Sequence, residues 1–145
     1  MKKIIITLAI AISTLSAFAS EVNVSSRVLN SFKTEFSAAK DVKWTSGNNF
    51  YKASFLFNNQ YVFAFYNLDG ELLGMTRYIS SLDMPISLQT SLKKSYADYW
   101  ISDLFEVSNH DGTNYYITVE NADSKVILKS LDGNDWSVYQ KLTKA

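Results

Sequence analysis

The chain has 145 residues, with 14 basic and 14 acidic side chains, one histidine and no cysteine. This balance leaves no basic patch for nucleic acid and no long-range attraction to an anionic membrane. Without cysteine there is no disulfide, thiol nucleophile or thiolate metal site, so burial alone must hold the fold, and an aromatic fraction of 14% supplies bulk for it.

Met1-Lys2-Lys3 is a short basic start, residues 4–15 are almost wholly apolar, and Ala17 and Ala19 put small residues where a signal peptidase reads. This pattern predicts a Sec-type signal peptide over residues 1–19, cleaved after Ala19. The apolar run is shorter than the roughly 20 residues of a spanning helix, and no cysteine follows it for lipidation. The expected destination is the periplasm or the exterior, with no membrane anchor after cleavage. The remainder carries 12 basic and 14 acidic side chains, a net charge of −2.

Residues 25–38 read as a helix. Val28, Phe32 and Phe36 recur every four positions, Val24 lies one turn earlier, and Ser25 suits the N-cap. Val42-Lys43-Trp44 alternates and predicts a short strand, followed by a turn at Gly47-Asn48-Asn49. Residues 50–57, 61–66 and 72–79 then read as three strands rich in aromatic and β-branched residues. Asn58-Asn59-Gln60 and Leu68-Asp69-Gly70 join them, residue types that tolerate the positive φ of tight hairpins. After a connector closed by Pro85, residues 87–96 read as a second helix on a stripe of Leu88, Leu92 and Tyr96. An irregular strand within 99–108, a turn at 109–112 and strands over 114–120, 125–131 and 135–142 complete the chain.

Leu88, Leu92 and Tyr96 lie 60 residues after Val28, Phe32 and Phe36, Tyr115 lies 64 after Tyr51, and Leu131-Asp132-Gly133 lies 63 after Leu68-Asp69-Gly70. One helix-plus-four-strand unit therefore occurs twice, over residues 20–83 and 84–145. Each unit is too small to bury much alone, so the two are expected to share a core within one globular unit.

Alternation assigns faces. In the second unit Tyr115, Ile117, Val119, Val126, Leu128, Trp136 and Val138 should pack on the helix, while Lys125, Lys129 and Lys141 face out. Carried through the repeat, this puts Tyr51, Ala53, Phe55, Phe63, Phe65, Leu73 and Met75 inward. The outward set, Lys52, Ser54, Leu56, Val62, Ala64, Tyr66, Leu72, Thr76 and Tyr78, is more apolar than a solvated face needs. Arg77 falls on the inward parity, which simple alternation does not explain.

Several stretches taken together resemble the PepSY-like, β-lactamase-inhibitor-protein-like family of small exported bacterial proteins, common in Bacteroidetes. Ala39-Lys-Asp-Val-Lys-Trp44 resembles its A-x-x-V-x-W step, Phe50-Tyr-Lys-Ala-Ser-Phe55 its Y-x-A-x-F strand, and Tyr66-Asn-Leu-Asp-Gly-Glu-Leu72 its Y-x-x-D-G-E-L hairpin. Met84-Pro85 stands where the family has Leu-Pro, and Phe105-Glu-Val107 with Asp111-Gly-Thr-Asn-Tyr-Tyr116 resemble the second repeat. The resemblance implies an α+β fold of two tandem repeats, each one helix packed on a four-stranded antiparallel sheet. It carries across no inhibitory residue, and this chain lacks the disulfides of the namesake inhibitor.

Catalysis has little to stand on. His110 reads as a solvated turn residue between Asn109 and Asp111, and no Gly-x-Ser-x-Gly elbow is present. Asp132-Gly-Asn-Asp135 faintly suggests a calcium loop but lacks the EF-hand spacing and terminal Glu. The expectation is no enzyme, no cofactor and no metal site. A binding role has more support. Leu56, Val62, Tyr66 and Tyr78 of the first unit, with Tyr116, Ile127 and Tyr139 of the second, would form one outward surface, and tyrosine suits interfaces because it offers large area with few rotors. Two alternatives stand beside this surface: a bulge that reverses parity in one unit, or units that cover each other there. The hairpin tips Asn58-Asn59 and Asn121-Ala122-Asp123 are either ordinary polar turns or elements that enter a partner's cleft. The expected function is an exported, non-catalytic module that binds a protein partner through this face and these tips. Inhibition of an extracytoplasmic hydrolase is its narrower form. The alternative is a small-ligand or glycan binder that uses the same tyrosines for stacking.

Overall fold

A computed structural model of the protein describes residues 22–145; the expected leader and its cleavage position after Ala19 lie outside them. Helix α1, Ser26–Glu35, starts where expected: Ser25 is extended and its Oγ accepts the Val28 N–H at 3.4 Å. It ends at Glu35, three residues early, and the C-cap Phe36 donates its N–H to the Phe32 carbonyl while its ring stays on the core. Helix α2, Ile86–Ser95, has Pro85 at its N-cap and no side-chain cap. The turn before it, Ser81–Asp83, is held by the Asp83 carboxylate, which accepts from the Ser80 N–H and hydroxyl at 2.9 and 2.7 Å.

The strands are β1 Lys40–Ser46, β2 Phe50–Phe57, β3 Gln60–Asn67, β4 Leu72–Tyr78, β5 Trp100–Asn109, β6 Gly112–Glu120, β7 Ser124–Ser130 and β8 Ser137–Thr143. They form one eight-stranded antiparallel sheet in sequence order, with α1 leading into β1 and α2 joining β4 to β5. Each helix and its four strands repeat one plan, and the sheet runs unbroken through both.

Both helices lie on the same face. Val28 and Phe32 of α1 pack on Ala53, Phe55, Ala64 and Tyr66, with Trp44 and Met75 at the margin. Leu88 and Leu92 of α2 pack on Leu104, Ile117, Val119, Val126 and Leu128. Each large apolar side chain so buried contributes about 1.5–3 kcal/mol. The hairpin ends dock on the helix starts. Gly70, at φ +87°, lies so close to the Arg27 carbonyl that a Cβ would sit 3.1 Å from it, and the Gly133 carbonyl accepts the Ser87 hydroxyl at 2.8 Å. The Trp136 indole donates to the Leu88 carbonyl at 3.0 Å.

The two units do not share a core as expected: each helix packs on its own strands of the common sheet, so the cores are separate clusters, and Arg77 stands between them. It is cross-strand to Val62 and to Glu106. Its guanidinium donates to the two Glu106 oxygens at 2.9 and 3.3 Å and to Gln60 at 2.8 Å. Its inward parity is thus explained by the gap between the helices, where a cleft of about 250 Å³ runs past Phe36, Phe57, Val62 and Met75.

One expectation is reversed. On β3 it is Val62, Ala64 and Tyr66 that meet α1, while Phe63 and Phe65 point to the other face. Ala53 pairs with Ala64 and Ile117 with Leu128, so β3 and β7 are offset by 64 residues, like β2 and β6. The 63-residue offset begins only at the following turn. Carrying 63 back into β3 slips it by one residue, and a one-residue slip exchanges every side chain between faces. Leu72 is likewise inward, because a bulge lies between the Phe65–Gly74 and Tyr66–Leu72 pairs. Lys141 is opposite Val126 on the helix side, past a bulge in β8.

Candidate binding face

The face away from the helices carries a row of rings in two segments. Phe50 meets Phe65 at 5.9 Å between centroids, Phe63 meets Tyr78 edge-on at 5.9 Å, and Tyr78 meets Phe105 at 6.4 Å. Phe105 stacks on Tyr116 at 5.3 Å, within 9° of parallel, and Tyr116 meets Tyr139 edge-on at 6.0 Å. The Lys52 ammonium links the two segments, lying 4.5 Å from the Phe63 centroid and 5.9 Å from that of Phe65. Lys129 closes the far end, 5.4 Å from Tyr139. The row therefore crosses from β2 to β8.

Strand register builds it. Tyr78 is directly opposite Phe105, and Phe105 is directly opposite Tyr116, so successive strands place rings at cross-strand contact distance. Such pairs add about 0.5–1.5 kcal/mol each beyond burial. The row is graded in depth: Phe65 and Phe105 are buried, Phe50, Phe63, Tyr116 and Tyr139 partly buried, and Tyr78 is 52% exposed. Thr76, 3% exposed between its cross-strand neighbours Phe63 and Val107, has a hydroxyl with no hydrogen-bond partner.

Of the residues expected on this surface, Tyr78, Tyr116 and Tyr139 lie in the row, and Leu56 and Ile127 lie partly buried on the same face. Tyr66 and Val62 do not. Tyr66 is fully buried under α1 between Phe32 and Trp44, and its hydroxyl donates to Glu35 at 2.7 Å. Burial, then the Glu35 carboxylate, pushes its phenol far above the ordinary tyrosine range. Val62 sits at the edge of the α1 core beside Arg77. Phe63, Phe65, Phe105, Lys52 and Lys129 complete the site. Hydrogen-bonded register, with β3 offset by 64 residues, is the signal that would have found the first two.

The local electrostatics follow from partial burial. Burial raises the Tyr78 phenol, with a smaller push from Asp103, and raises Tyr116, with a smaller push from Tyr139. Burial also raises the Asp103 carboxyl, against the Leu104 N–H and Lys125, and lowers the Lys52 ammonium.

The two hairpin tips lie at the same end of the sheet, as a meander requires. Asn58 and Asn59 are exposed at φ 49° and 63°, the left-handed pair of a tight hairpin. At the other tip Asn121 Oδ1 accepts from the N–H groups of Asp123 and Ser124, and Lys144 donates to the Asn121 carbonyl, so that turn uses its own polar groups. The Asp132 carboxylate is occupied the same way, accepting from Asn134 and Asp135. His110 is exposed in the β5–β6 turn. Among the described residues no group of three His, Cys, Asp or Glu side chains is placed to hold a metal, and no helix is long and apolar enough to cross a membrane.

No family model and no curated protein matches this sequence. Solved structures do match in fold. A BLIP-like protein of Bacteroides fragilis superposes with a TM-score of 0.74 at 19% identity, over 86% of this chain and 90% of that one. A DUF2874 family protein of Bacteroides ovatus gives 0.74 at 17% identity, over 84% and 89%. A protein of Bacteroides eggerthii proposed to be periplasmic gives 0.73 at 15% identity, over 84% and 90%. At these identities the likeness is one of fold: this chain is α+β and has the BLIP-like architecture.

Proposed function

We propose that this BLIP-like fold serves here as a non-catalytic, exported binding module whose helix-free sheet face docks a protein partner. One observation carries the reading: two aromatic segments bridged by Lys52 cross the helix-free face, and Tyr78 stands half exposed among them. Contiguous apolar surface of this kind marks a contact site, and half-exposed tyrosine is a typical interface anchor. The leader pattern at residues 1–19 and the B. eggerthii neighbour support export. The tips Asn58-Asn59 and Asp123 border the face and act as its rim.

The test is capture from envelope and secreted fractions of the producing cell, comparing the wild-type protein with a Tyr78→Ser, Tyr116→Ser, Tyr139→Ser variant whose melting curve shows it folded. A single protein retained by the wild type and lost by the variant is the expected result. Equal capture by both would place the contact elsewhere. A wild type that captures no protein but binds immobilised neutral glycans through the same tyrosines would replace a protein partner with a sugar.

A further inference from the structure

We infer that the segment docking on this face is acidic, with carboxylates seated at Lys52 and Lys129; the inference rests on the docking role proposed above. Three ion pairs occur among the described residues, Arg27 with Asp69, Arg77 with Glu106, and Lys144 with Glu120, and none involves these two lysines. Lys125 on the same face differs. It is cross-strand to Glu120 and lies near enough to Asp103 to draw down that carboxyl. Lys52 and Lys129 instead rest on rings, 4.5 Å from Phe63 and 5.4 Å from Tyr139. Both are partly buried, and burial lowers the Lys52 ammonium. A cation partly stripped of water and facing no carboxylate gains most from an incoming one, through a charge-assisted hydrogen bond.

The remaining acids do not compete. Asp69, Glu71, Asp83, Asp98, Asp111, Asp123, Asp132 and Asp135 lie in turns off the strands, Asp41 is exposed on the edge strand β1, Glu35 accepts from Tyr66 under α1, and Glu106 is engaged on the helix side by Arg77. A nearly neutral protein thus presents an uncompensated positive charge at each end of its aromatic row. A second copy is a poor occupant, since a two-fold contact through this face sets lysine-bearing surfaces against each other. The spacing also restricts the partner. Lys52 is on β2 and Lys129 on β7, five strand spacings apart in the sheet order, or about 24 Å. About eight extended residues lying across the strands cover that distance. Such a segment would carry acidic side chains near both ends and apolar or aromatic ones between, over Phe63, Tyr78, Phe105 and Tyr116.

The test titrates the protein with a ten-residue peptide of alternating Glu and Tyr, and with its counterpart carrying Gln for Glu, followed by calorimetry or fluorescence anisotropy. The Glu peptide should bind and weaken with added salt, and the Gln peptide should bind at least about tenfold less tightly. Lys52→Glu and Lys129→Glu should each weaken the Glu peptide by about tenfold and leave the Gln peptide unchanged, while Lys52→Arg should retain binding. No binding of the Glu peptide at about 1 mM, or equal binding of both peptides, overturns the inference. If Tyr78→Ser with Tyr116→Ser abolishes binding while the lysine changes do not, the docking face survives and its acidic partner does not. Preferential binding of polygalacturonate with the same lysine dependence overturns the assignment to a protein segment in favour of an acidic glycan.

Discussion

On the helix-covered face Phe32 meets Trp44, Phe55 and Tyr66 edge-on at 5.2, 5.0 and 6.5 Å, under a helix that seals them from water. On the opposite face Phe63, Tyr78, Phe105, Tyr116 and Tyr139 meet at 5.3 to 6.4 Å, edge-on except for the Phe105–Tyr116 stack, with no helix above them. Ring-to-ring geometry therefore does not distinguish a core from a contact surface; the presence of a second layer does. The covered face converts its rings into folding stability. The open face holds rings that strand register places side by side, with Phe65 and Phe105 buried among them and Tyr78, and in part Phe63, Tyr116 and Tyr139, left accessible for contact. Changes on the first should register in stability, and changes on the second in binding.

The largest effect belongs to the core. Phe55, fully buried against Phe32 and Phe36, loses about 3–5 kcal/mol on Phe55→Ala, read from urea denaturation. Tyr78→Ala removes a ring of similar size from the open face and should cost about 1 kcal/mol or less, since half of that side chain is already in water. Equal losses from the two changes would mean that the open face is covered in solution.

Tyr66→Phe sharpens the contrast, because this tyrosine alternates in sequence with the open-face phenylalanines yet belongs to the core. The change removes the hydrogen bond to Glu35 and should cost about 1 kcal/mol at neutral pH. Burial and Glu35 raise the folded phenol above its unfolded value, so between the two the folded state holds the proton and the unfolded state has lost it. Stability is then fully present below about pH 10 and falls as pH rises beyond it. The gap between wild type and variant should narrow across that alkaline range; a gap that stays constant would place the hydroxyl in water.

The helix stripes, turn glycines and helix-plus-four-strand repeat were legible in the sequence because each rests on a local period or a turn residue, whereas the joining of the two four-stranded halves into one sheet rests on the β4–β5 pairing, which no local pattern contains. Val28, Phe32, Leu88 and Leu92 mark the helices by spacing alone. The open face was legible in part. Tyr78, Tyr116 and Tyr139 were placed on this face by alternation within their own strands, although bulges in β4 and β8 put Leu72 and Lys141 on the helix side. Tyr66 and Val62 were misplaced because β3 is apolar on both faces, so its own pattern does not choose between them. There the face is set by pairing of Ala53 with Ala64, a non-local fact that alternation within one strand does not contain. Arg77 was flagged as anomalous, but its explanation needed Glu106, 29 residues away.

Thr76 gives a smaller effect of opposite sign. Its hydroxyl is buried in the floor of the open face without a partner, so the fold bears its dehydration with no hydrogen bond in return. Thr76→Val keeps the shape and removes the hydroxyl, and should stabilise by roughly 0.5–1 kcal/mol. A destabilised variant would reveal a hydrogen bond made in solution.

The smallest effect is a pH signature at the far side of the same face. Asp103 is partly buried near Tyr78 and Lys125, and burial raises its carboxyl, opposed by the Leu104 N–H and by Lys125. The folded state therefore binds the proton more tightly than the unfolded chain does. Stability from this group is fully present below the unfolded value, about 3.9, and is lost as pH rises through the folded value. Asp103→Asn removes that loss. It should stabilise the protein near pH 7, and the gain should vanish by about pH 3, where both states of the wild type are protonated. Denaturation curves at the two pH values decide it. A gain that persists at low pH would come from packing rather than charge, and the open face would then lack the partial dehydration that also leaves Lys52 poised for a carboxylate.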